Sequence, residues 1–171
     1  MNLINLLSSK KSAILKRWFD EIVSTYPDAT SSFLKTQDDP FANPVGQTIL
    51  HGIDGLFDEL LKDTDSNEMP SFLDNIIRIR AVQGFTPSQS TAFTIFLKKV
   101  IREELKDEIK EDQLYNDLAA LEARIDKMAL LSFDIYMKCR ETLYEIKANE
   151  VKNMTFNLLR RANMLSEVQE E

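Results

Sequence analysis

The sequence predicts an all-α helical bundle with a long C-terminal helix. Three observations carry this. Only four Gly and five Pro occur in 171 residues, too few breakers for the many turns of a β-sandwich. Apolar residues recur at spacings of three and four through most of the chain, and no segment alternates with the period of two that a half-buried strand needs. Residues 111–166 contain neither Gly nor Pro. An unbroken helix of that length would run to ~80 Å at 1.5 Å per residue, so it is predicted to project beyond a compact domain rather than kink.

The first helical pattern covers residues 3–25. Leu3, Leu6, Leu7, Ile14, Leu15, Trp18, Phe19 and Ile22 form one apolar stripe, with a break expected near Ser8 and Ser9. Tyr26-Pro27-Asp28 ends it, because the residue before proline avoids helical geometry. Residues 26–43 read as loop, with "QDDPFANP" as a breaker cluster. Asn43 then suits an N-cap and Pro44 the first helical position. The second long helix runs over about 44–62, with Val45, Ile49, Ile53, Leu56, Phe57, Leu60 and Leu61 inward. A third is predicted from Ser71 to near Gly84, opened by a capping box between Ser71 and Asp74. Thr86, Pro87 and Gln89 state the next start three ways: a cap, a first-turn proline and a capping-box partner. That helix, about 87–107, buries Phe93, Phe96, Leu97, Val100, Ile101 and Leu105. On the last helix, Leu114, Leu118, Leu121, Ile125, Met128, Ile135, Cys139 and Ile146 read as the core stripe. Tyr144, Ala148, Val151, Thr155, Leu158, Ala162 and Leu165 follow a four–three repeat that suits a short, weak coiled coil.

Composition narrows the chemistry. A chain this long can bury roughly 70% of its unfolded surface, and 43% apolar with 29% charged residues is the balance of a soluble protein. A net charge of −7 repels phosphates, so nucleic acid is not an expected partner. The single cysteine, Cys139, forbids an intrachain disulfide and fits a reducing compartment. It reads as a buried thiol rather than a reactive one. No stretch approaches the ~20 apolar residues of a membrane span, and the N-terminal apolar run has its basic residues on the wrong side for a leader. A cytoplasmic location without membrane insertion is expected. Neither phosphate-loop nor dinucleotide glycine patterns occur. His51, Asp54 and Asp58 share a helical face and could in principle hold a metal, but the simpler reading is a solvated helix face. No metal and no cofactor are expected. The acids of "EELKDEIKED" (103–112) read as a solvated helix end rather than a catalytic pair. Basic residues outnumber acidic ones over 138–161, the pattern of a coiled-coil flank.

The stretch "RIRAVQGFTPSQST" (78–91) concentrates polar side chains between apolar neighbours. Arg78 and Arg80 lie two apart and so point to opposite sides of their helix. Gly84 is expected to supply the left-handed residue that ends the helix. Most of this polarity is therefore the joint between two helices. Arg80, Gln83 and Ser88, with Trp18 and Phe85 as aromatic walls, remain candidates for a ligand- or partner-binding site.

Four segments, "ILKRWFDEIVSTYPDATSSFL", "DPFANPVGQTI", "IIRIRAVQGFTPSQSTAFTIFLKKVIREEL" and "FDIYMKCRETLYEIKANEVKN", together resemble the RsbRD N-terminal domain family, over roughly residues 12–163. The resemblance implies an α-helical sensor or input module, related in role to haem-free globin-like domains of stressosome proteins, that dimerises and relays through a C-terminal helix. It brings no catalytic residues. No kinase, cyclase or STAS-like output pattern occurs up to Glu171, so the module is expected to act in trans or to be part of a larger chain. The resulting expectation is a sensor domain over 1–146 and a coiled-coil-like continuation with a frayed acidic end over 147–171. Its function would be non-catalytic regulation in bacterial stress or signal transduction, through a homodimer built on Tyr144, Val151, Thr155, Leu158, Ala162 and Leu165, with a protein partner from a signalling pathway. The alternative is a small-ligand binding module with its pocket near the 78–89 joint.

Overall fold

The computed structural model describes residues 2–62, 68–109 and 112–169, and of residues 112, 113 and 164–169 the backbone only. The described residues form seven helices and no strand. They are α1 (Leu3–Ser9), α2 (Lys11–Val23), α3 (Asp28–Thr36), α4 (Pro44–Leu61), α5 (Met69–Val82), α6 (Pro87–Glu104) and α7 (Asp112–Gln169). The chain divides into two units, Met1–Tyr136 and Met137–Glu171, with α7 running unbroken through the boundary.

In the first unit, α4 pairs with α5 and α2 with α6, while α2 also touches α1, α3 and α4. The predicted stripes are the core. Ile14, Trp18 and Ile22 of α2, Ile49, Ile53 and Leu56 of α4, Leu73, Ile76 and Ile77 of α5, and Phe93 and Leu97 of α6 are fully enclosed. α4 and α5 can approach closely because Gly52 faces α5. A Cβ there would come within 2.7 Å of the Ile76 Cδ1. The first half of α7 completes the core with Leu114, Leu118, Leu121, Ile125 and Met128. Its outer edge is tied to α6 by Arg102–Glu122 and Lys98–Asp126 ion pairs, both at 2.5 Å. Arg124 donates to the carbonyl of Lys62 at 2.7 Å, closing the end of α4.

Four expectations need correction. The break in the first helical pattern falls at Lys10, not at Ser8 and Ser9. Lys10 reaches the Glu104 carbonyl and the Glu108 carboxylate, both at 2.6 Å. Residues 28–36, expected as loop, form α3. Their Thr and Ser residues are poor helix formers, but Asp28 in the first turn and Lys35 in the last complement the helix dipole, and Leu34 is buried. α5 starts at Met69 with Pro70 in its first turn, and the Ser71–Asp74 capping box does not form. Asp74 instead pairs with Arg78 one turn on, at 2.7 Å. Ile146, expected in the core, is half exposed, and Tyr136 and Ser132 are buried instead. The Ser132 hydroxyl donates to the Met128 carbonyl at 2.8 Å, which makes a serine tolerable inside.

Asn43 is the N-cap predicted, and it does more than cap. Its Oδ1 accepts from the Gly46 amide at 2.8 Å. Its Nδ2 donates to the carbonyls of Leu34 (3.1 Å) and Gln37 (2.9 Å), so one buried side chain joins the end of α3 to the start of α4. Aspartate caps as well as asparagine, yet here it would set a carboxylate oxygen against two carbonyl oxygens. Asn43→Asp is therefore expected to lower stability by about 2 kcal/mol or more, at least as much as Asn43→Ala. Urea midpoints of the three proteins check this. Wild-type stability in the aspartate variant would show that only the cap counts.

Candidate functional site

The joint between α5 and α6 folds as its sequence suggests. Gly84 takes φ +82°. The Phe85 amide donates to the Arg80 carbonyl at 3.1 Å and the Gly84 amide to the Ala81 carbonyl at 3.3 Å, the double closure that satisfies a helix's last carbonyls. Thr86 accepts from the Gln89 amide, and the Gln89 side chain accepts from the Thr86 amide, completing the capping box. The Phe85 carbonyl accepts the Tyr136 hydroxyl at 2.7 Å, which fixes the joint against α7.

The two arginines of the stretch separate as predicted. Arg78 is exposed and paired with Asp74, whereas Arg80 is completely buried. The Arg80 Nη2 donates to the Thr25 hydroxyl and to the Gln89 carbonyl, both at 3.0 Å. Its guanidinium carbon lies 4.2 Å from the Phe85 ring centre and 5.5 Å from that of Tyr26. Such cation–ring contacts stabilise by about 1–2 kcal/mol when desolvated. The Tyr26 hydroxyl donates to the Gln83 Oε1 at 3.0 Å, and the Tyr26 and Phe85 rings meet edge to face at 5.0 Å. Burial pulls the Arg80 guanidinium below its ordinary value, with Tyr26 opposing. Burial likewise pushes the Tyr26 phenol up, with Arg80 opposing.

Arg80, Gln83 and Phe85 thus come together as expected, through Tyr26. Ser88 stays at the surface, its hydroxyl 3.2 Å from that of Thr86. Trp18 is engaged elsewhere. Its Nε1 donates to the Phe93 carbonyl at 2.6 Å and its ring stacks on Phe93 at 6.3 Å, so it acts as a core anchor between α2 and α6. Thr25 and Tyr26, which complete the shell around Arg80, escaped sequence reading. They stand more than fifty positions away, and Tyr26 reads locally only as the residue before a proline.

The other candidates resolve into packing and ion pairs. Lys11 Nζ sits 2.8 Å from Asp54 and 2.6 Å from Asp58, so the two carboxylates that share a face with His51 hold a lysine cation. Burial lowers the Lys11 pKa, but bonding to the two carboxylates wins and holds it above its ordinary value. His51 meets the edge of the Phe72 ring. Among the acids of 103–112, Glu103 and Glu104 pair with Arg17, and Glu108 with Lys10. Cys139 is half-buried on α7.

In the second unit, Tyr144, Val151, Thr155, Leu158 and Ala162 are all exposed within this chain, as are Met154, Phe156 and Leu159. The Leu165 side chain lies outside the described residues. The Thr155 hydroxyl donates to the Val151 carbonyl at 2.8 Å, which satisfies its polar atom locally and leaves its methyl free to pack. Tyr144 lies under the Arg140 guanidinium, 5.0 Å from its ring centre.

A family model described as the RsbT co-antagonist protein rsbRD N-terminal domain matches residues 12–151. No curated protein and no solved structure gave a match.

Proposed function

Because the chain belongs to the RsbT co-antagonist protein rsbRD N-terminal domain family, we propose that it is a non-catalytic input domain of a bacterial stress-signalling pathway. It works by pairing through the second half of α7 and by docking a protein partner of that pathway in the cytoplasm. The family itself is regulatory. The observation that carries the pairing is the exposure of large apolar side chains at Tyr144 (60%), Val151 (63%) and Leu158 (63%) on one four–three repeat. Soluble proteins seldom leave such contiguous apolar surface to water unless something covers it. A second copy of the same helix supplies a matching stripe, which makes the contact self-complementary. Signalling follows if a ligand or partner favours one of two packings of the helices, since only a difference in affinity between states can shift them.

Light scattering on the purified chain tests this. A mass of twice 19.7 kDa is expected at micromolar concentration, and Val151→Glu with Leu158→Glu is expected to give the single-chain mass with unchanged helix content. A wild-type chain of single mass across the micromolar range would remove the pairing.

A further inference from the structure

Among the described residues, Arg80 is a buried cation without an anion. Arg17, Arg78 and Arg102 each meet a carboxylate at the surface. Arg80 is fully enclosed, and among the described residues no carboxylate lies within ion-pair distance of it. Of the five N–H groups of a guanidinium, those on Nε and Nη1 have no hydrogen-bond partner among the described residues. The groups that do bond it are neutral: the Thr25 hydroxyl and the Gln89 carbonyl, with the Tyr26 phenol also contributing. Buried donors are nearly always satisfied, and buried charges nearly always paired. The Gln89 carbonyl belongs to the first turn of α6, whose N-terminus adds partial positive charge beside the guanidinium. The Ser90 hydroxyl, next along that turn, is also buried and without a hydrogen-bond partner among the described residues.

We propose that the Arg80 cluster is a binding site for the carboxylate of a small organic acid. A single negative charge matches the single positive one, whereas a phosphate dianion would bring an uncompensated charge into a desolvated site. The N–H groups on Nε and Nη1 donate to the carboxylate oxygens. The Phe85 and Tyr26 rings lie against the guanidinium and supply apolar surface beside it. Thr25, Gln83 and Gln89, around the guanidinium, are exposed, so the shell reaches solvent at three points. This gives the proposed input domain an input. It rests on that reading only for the ligand's role, since binding is measured on the folded chain whatever its mass.

Thermal unfolding of the full chain in acetate, benzoate, inorganic phosphate and chloride at matched ionic strength tests the site. Benzoate or acetate is expected to raise Tm with the logarithm of its concentration above Kd, by about 5–10 °C at a hundred times Kd, with phosphate no better than chloride. Arg80→Met is expected to abolish the carboxylate-specific rise. Should that variant not fold, the Nε–H signals of the arginines in the wild-type chain decide: benzoate is expected to shift the slowly exchanging signal of a buried guanidinium. No carboxylate effect beyond chloride, an equal effect of phosphate, a response retained by Arg80→Met, or unmoved arginine signals would each overturn the assignment.

Discussion

Trp18→Ala is expected to cost about 3–5 kcal/mol, the range for removing a fully enclosed aromatic side chain. Trp18 is completely buried, stacks on Phe93 and donates to that residue's carbonyl across the α2–α6 contact. Truncation removes its transfer free energy and leaves a cavity in a junction where α1, α3 and α4 also lean on α2. Against a typical total of about 5–15 kcal/mol, this is a large share. The urea midpoint should fall sharply at unchanged slope, because the unfolding surface is nearly the same. Trp18→Phe keeps most of the volume and should lose much less. A loss below about 1 kcal/mol in Trp18→Ala would mean that the indole fills a yielding space, as a pocket wall would, rather than a packed core.

Arg80→Met is expected to act in the opposite direction, raising stability by about 1–3 kcal/mol, the cost of leaving buried donors unsatisfied. The sign follows from the environment. Burial depresses the Arg80 pKa despite Tyr26, so its surroundings favour the charged form less than water does. Two hydrogen bonds to neutral oxygens and the Phe85 ring do not offset the desolvation. Methionine has nearly the same length, no charge and no donors, and can lie against the same rings. Chemical denaturation in a buffer free of carboxylates and phosphate measures it. Destabilisation by several kcal/mol would show that the cation is compensated within the chain. A gain in stability on removing the residue at the centre of this cluster would be what a trade-off between stability and function produces.

What could be read from the sequence was what local chemistry decides. Thr86-Pro87-Ser88-Gln89 opens α6 as predicted, Gly84 closes α5, and the two-residue spacing set Arg78 and Arg80 on different sides of α5. What escaped depended on distant partners. Asn43 was legible as a cap, but its bonds to Leu34 and Gln37 required α3, which its Ser and Thr residues concealed. The unanswered charge of Arg80 was invisible because absence of a carboxylate is a property of the assembled neighbourhood. On α7 the stripe was right up to Met128 and then slipped. A 3.6-residue turn carries the inward face on to 132 and 136, whereas apolarity pointed to Ile135, Cys139 and Ile146.

Gly84 has one more consequence. Among the described residues, nothing lies within 4 Å of the place its missing side chain would occupy. Its constraint is torsional, not spatial. As the sequence drifts, asparagine and aspartate can stand there at modest strain, while valine, isoleucine and threonine cannot. A lineage that exchanged Gly84 for a β-branched residue would have to redraw the turn, and with it the seat of the Phe85 ring over Arg80.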